Sequence, residues 1–184
     1  MNMGQMMLVI GAFAMLSLLT LSINATIVNS LSLTAESEMT LNAHAFAQSM
    51  IDEILTKHFD EKTRRYRAYG PADLTPLNSL GPDPNEKTWG EYDSTFQSRS
   101  KFDDVDDYHG YKRFVKNALG WRFEVKDSVH YVKEDKDSLN VVSSTPTFIK
   151  RITVYVYNDN LPKDANGNIV PLVMRDLAVY RRFF

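Results

Sequence analysis

The chain has no cysteine, and no lysine or arginine before Lys57. The missing cysteine excludes disulfides, thiolate nucleophiles and cysteine-ligated zinc. The first charge of either sign is Glu36. A secretory signal peptide opens with a basic flank ahead of a short apolar core. The stretch GQMMLVIGAFAMLSLLTLSI, residues 4–23, has no such flank and stays apolar past the usual length. Proline is absent before Pro71, and no glycine falls between Gly11 and Gly70, so nothing interrupts a helix over that interval. Catalytic signatures are missing too. There is no HExxH, no G-x-S-x-G elbow and no glycine-rich phosphate loop, and His44, His58, His109 and His130 lack ligand spacing. The expectation is a protein that is not an enzyme and holds no organic cofactor. The 21 basic residues are matched by 23 acidic ones, and no basic patch points to nucleic acid.

What the N-terminal segment does contain is apolar surface on every side. From Gln5 to about Thr26 it is interrupted only by small or hydroxylated residues such as Gly11, Ser17, Thr20 and Ser22. About 20 such residues cross a hydrocarbon core of about 30 Å, and Ser and Thr hydroxyls can return to the preceding turn. The pattern then becomes amphipathic. Val28, Leu31, Ala35, Met39, Phe46 and Met50, joined by Ala43, Ala47, Ile51, Ile54 and Leu55, follow helical spacing. The spacing predicts one helix from near Gln5 to near His58, whose apolar half over residues 1–28 needs partners outside its own chain.

Residues 59–110 read as a long loop, punctuated by Gly70-Pro71, Pro76, Gly81-Pro82 and Gly90. Period-2 alternation follows in the segment 111–184. In WRFEVKDSVHYV, residues Trp121, Phe123, Val125, Val129 and Tyr131 take one face; in TFIKRITVYVY, Phe148, Ile152, Val154 and Val156 do. PLVMRDLAVYRRFF supplies another strand, and Asn166-Gly167 marks the hairpin turn before it. The expected fold is α+β. A three- or four-stranded antiparallel sheet is covered by the amphipathic helix half, 29–58, with 29–184 forming one globular unit.

A long helix, apolar and then amphipathic, ahead of a small antiparallel sheet resembles the type IV pilins and the type II secretion pseudopilins. Family precursors are cut after a glycine that precedes the apolar segment. Gly4 matches that glycine, and Gln5 would become the new N-terminus. The leader MNMG is uncharged where family leaders carry Lys or Arg, and Val9 stands where the family usually places a Glu. The segment FDDVDDYHGY, residues 102–111, is similar to an acid-rich segment in minor pilin-like proteins of the mannose-sensitive haemagglutinin pilus group, and KRITVYVY looks like their penultimate strand.

The resemblance implies a structural subunit of a type IV pilus-like extracellular filament, major or minor, with a helix-bundle core and exposed sheet domains. The chain would rest in the inner membrane, meet a prepilin peptidase, and then assemble with copies of itself or with related subunits at the cell surface. Such filaments serve adhesion, motility, DNA uptake or secretion. Small residues at Gly11, Ala12, Ala14 and Ser17 would permit close helix approach. The alternative is a membrane-tethered binding or sensory domain that never polymerises. Asp103, Asp104, Asp106 and Asp107 offer oxygen ligands for calcium. The competing reading is a loop whose acids cap backbone N–H groups or pair with Lys101, Lys112 and Arg113. Pseudopilins bind calcium in C-terminal loops, and Asp164-Ala-Asn166-Gly-Asn168 is oxygen-rich as well.

Overall fold

A computed structural model describes residues 2–86, 97–135 and 138–181. It divides into two compact units, Met1–Met39 and Thr40–Phe184. Helix α1 runs from Met3 to Leu55, 53 residues, or about 80 Å at 1.5 Å per residue. It starts two residues ahead of the expected Gln5 and stops three short of His58. Its last turn tightens: the N–H groups of Thr56 and Lys57 return to the carbonyls of Glu53 and Ile54. The Lys57 ammonium then donates to the Arg99 and Phe102 carbonyls at 2.9 and 2.7 Å.

In the first unit, residues 2–38 are all exposed. Most of the hydroxyls are satisfied within the helix, as the sequence implied. Ser17 donates to the Phe13 carbonyl at 2.8 Å, Thr20 to Leu16 at 2.8 Å and Thr26 to Ser22 at 2.9 Å.

The second unit is built on an antiparallel sheet of five strands: β1 Lys112–Lys116, β2 Arg122–Asp135, β3 Ser138–Val142, β4 Ile149–Tyr157 and β5 Leu172–Val179. The order is β1-β2-β4-β5, with β3 paired to the far end of β2. The segment Thr40–Leu55 of α1 lies in this unit. Its Ala43, Ala47, Met50, Ile51 and Ile54 are buried, as are Phe123, Val125 and Val129 on β2 and Ile152, Val154 and Val156 on β4. Phe46 meets Phe123 with ring centroids 5.1 Å apart. The chain is an α+β protein with a pilin-like architecture.

Three expectations need correction. Among the described residues the sheet has five strands rather than three or four, β1 and β3 being only five residues each. Val28, Leu31 and Ala35, the first residues of the apolar track expected to cover the sheet, are exposed. The described part of the 59–110 segment is also more ordered than a bare loop. It holds helices α2 (Glu61–Arg65) and α3 (Ser98–Lys101) and 3-10 turns at Pro71–Asp73, Leu77–Ser79 and Asp106–Tyr108. The hairpin turn stands where the sequence put it, with Gly167 at φ +81°. Asp164 Oδ1 accepts from the Asn166 and Asn168 N–H groups at 2.8 Å each, so this oxygen-rich loop is a self-capped turn.

Candidate functional site

Two features stand apart from an ordinary α+β core. The first is the exposed apolar half of α1. It is long and apolar enough to cross a membrane, and none of its most apolar window is buried. Gly4, Gln5, Gly11, Ala12, Ala14 and Ser17 all lie on this exposed helix. A Cβ added to Gly4 or Gly11 would meet nothing within 4 Å. The fold of this chain therefore makes no demand for glycine at either position. Gly11, Ala14 and Ser17 recur every three residues, so they share one side of the helix.

The second feature is a layer of charge inside the second unit. Strand alternation places Arg113, Asp127 and Lys150 on the same inward faces as the apolar residues, and all three are buried. Glu53, on the last turn of α1, gathers four donors. Arg113 donates to it at 2.8 Å, Arg99 at 3.2 Å, the Tyr108 hydroxyl at 3.0 Å and the Ser98 hydroxyl at 2.5 Å. Burial alone would raise the Glu53 pKa, but the hydrogen bonds from Ser98 and Arg113 bring it below the usual carboxylate value. Asp127 has neither oxygen hydrogen-bonded among the described residues. Its burial pushes the carboxyl well above its ordinary range, against the pull of the Arg113 guanidinium.

Lys150 of β4 donates to Asp106 Oδ1 at 2.5 Å, to the Phe59 carbonyl at 2.7 Å and to Asp60 Oδ2 at 3.1 Å. Asp60 also accepts from the Tyr131 hydroxyl at 2.8 Å and from the Thr75 N–H and hydroxyl. These contacts hold it below its ordinary pKa despite the opposing effect of burial. They pin the chain between α1 and β1 to the sheet.

The acid-rich segment is thereby split. Asp106 turns inward to Lys150. Asp104 Oδ1 accepts from the N–H groups of Asp106 and Asp107 at 2.8 and 3.1 Å, and Asp107 Oδ2 accepts from those of Asp103 and Asp104. Asp103 pairs with Arg64. The capping half of the competing reading describes Asp104 and Asp107, while the ion pairs are made by Lys150 and Arg64. Phe102, Tyr108 and Tyr111 pack edge to face around this turn, with centroids 4.9 to 5.9 Å apart. Among the described residues, the groups with oxygens close enough to share a cation are Glu61 with Asp103 and Asp104, and Glu86 with Asp103 and Asp107. Sequence spacing pointed to neither glutamate. Burial, followed by the nearby charges of Asp106 and Asp107, raises Asp104 to about 9. Burial, with Glu86 adding to it against the backbone hydrogen bonds, raises Asp107 to about 7.

The two histidines His109 and His130 meet with ring centroids 5.1 Å apart, a proximity invisible in their spacing. Burial leads the effects that lower the His130 pKa, with His109 and Arg151 adding to it.

No known protein family, curated protein or solved structure matches this chain.

Proposed function

We propose that this chain is a structural subunit of a type IV pilus-like extracellular filament. One observation carries the reading: an unbroken helix presents residues 3–38 fully exposed, with no charge before Glu36. Such a surface is costly in water and needs lipid or other helices around it. Both environments suit it, because most of its hydroxyls are already satisfied along the helix. Lipid tails and a helix bundle are similarly apolar, so close van der Waals packing decides between them. Gly11, Ala14 and Ser17 leave room for that approach.

In this reading the chain waits in the inner membrane, is cut between Gly4 and Gln5 by a prepilin peptidase, and enters a bundle of identical or related helices. Its role is mechanical, with no catalysis. Shear followed by sedimentation tests the proposal: the chain is expected in the sedimentable sheared fraction as well as in membranes. Retention in the membrane fraction alone would instead support a tethered, non-polymerising binding or sensory domain. A mature N-terminus at Met1 would remove the processing step and leave assembly standing.

A further inference from the structure

We propose that the side chains of Lys150 and Asp106 condense to an intramolecular amide, a covalent cross-link between β4 and the 3-10 turn ahead of β1. The inference does not rest on the filament reading. Its basis is the geometry of one small chamber. Lys150 Nζ is 2.5 Å from Asp106 Oδ1, and the two side chains are 0% and 4% exposed. The nitrogen sits 4.6 Å from the centre of the Phe59 ring and 5.1 Å from that of Tyr131. A nucleophilic nitrogen and a carboxyl carbon are thus held together where water is excluded.

The two carboxylates facing Lys150 are unequal. Asp60 has donors of its own: the Lys62 N–H, the Thr75 N–H and hydroxyl, and the Tyr131 hydroxyl. The Asp106 carboxylate is held by Lys150. Burying an ion pair often costs as much as the pair returns. Condensation removes one charge of each sign and leaves Asp60 ionised among its own donors. Asp106 is therefore the carboxyl that reacts.

The step balances without oxidant, reductant or cofactor. A proton passes from Lys150 Nζ to Asp106 Oδ1, giving an amine and a carboxylic acid. The amine lone pair attacks Asp106 Cγ, forming the N–C bond. Asp60 Oδ2, which touches the same nitrogen, takes a second proton and returns it to the hydroxyl on the tetrahedral carbon. The C–O bond breaks and water leaves. Ammonium and carboxylate have become amide and water, with Asp60 regenerated.

The bond would join residues 44 positions apart in a chain whose lack of cysteine denies it any disulfide. Closing a loop of that length restricts the unfolded chain as a disulfide does.

The test is a tryptic map of the full chain extracted from membranes. The expected product is peptide 102–112 joined to peptide 137–151, one water lighter than their sum, with no cleavage after Lys150. Lys150→Met and Asp106→Ala should each abolish it. Free peptide 102–112 together with cleavage after Lys150 in the parent chain would overturn the proposal, whatever the variants do. A cross-link from Lys150 to the peptide carrying Asp60 would overturn the assignment to Asp106.

Discussion

Glu53, on the last turn of α1, accepts a 2.8 Å hydrogen bond from Arg113 of β1 with both side chains buried. The pair ties the covering helix to the edge of the sheet, and Ser98, Arg99 and Tyr108 complete it. Glu53→Ala leaves the Arg113 guanidinium buried without its carboxylate partner. The expected loss is about 3–5 kcal/mol, read by urea denaturation. A loss under about 1 kcal/mol would show that the contact is not what fixes α1 to β1.

Stability should fall as pH rises from neutral towards 9. Asp104 and Asp107 have folded-state pKa values of about 9 and about 7, above the ordinary 3.8. The folded state therefore holds their protons more tightly than the unfolded chain does. Their contribution is complete below about pH 4 and is lost as pH passes 7 and then 9. Asp60 and Glu53 are lowered and act in the opposite sense, losing their contribution as pH falls through their folded pKa values. Asp104→Asn, which stays neutral, should flatten the decline between pH 7 and 9. A melting temperature that rises over that interval in the parent chain would contradict the assignment.

Residues 29–184 should fold as a soluble unit. The core residues Ala43, Ala47, Met50, Ile51 and Ile54 all lie within this fragment. Circular dichroism should show mixed helix and strand with one cooperative thermal transition. A disordered spectrum would mean that the removed segment is needed for folding.

Ala14→Leu keeps the first helix segment apolar but fills space that a neighbouring helix would need. Overpacking of this kind costs about 1–3 kcal/mol per site, repeated in every subunit of a polymer. The variant should reach normal membrane levels while forming few or no filaments. Assembly equal to the parent's would show that no helix packs closely at Ala14.

The architecture was legible because its signals are long. The helix is apolar and then amphipathic with no breaker, β2 and β4 are long alternating strands, and β5 is an apolar run of eight residues around one charged pair. β1 was missed because KRFVK is short and mostly charged, and β3 because SLNVV offers only five residues. The buried charges were written in the same alternation. Asp127 falls in phase with Val125 and Val129, and Lys150 in phase with Ile152 and Val154. What hid them was the expectation that an inward position be apolar. Their partners Glu53 and Asp106 are distant in sequence, and only the tertiary fold shows that Asp106 faces Lys150 while its acidic neighbours cap the turn.

The central claim is that residues 3–38 pack against like helices in a filament. Cryo-electron microscopy of the sheared, sedimentable fraction, with the chain identified in it by mass spectrometry, tests this most directly. The account predicts filaments with a core of long helices about 8–10 Å apart, into which this segment traces with Ala14 at a helix contact. A fraction with no filaments containing this chain, while the intact protein stays in the membrane, would contradict it.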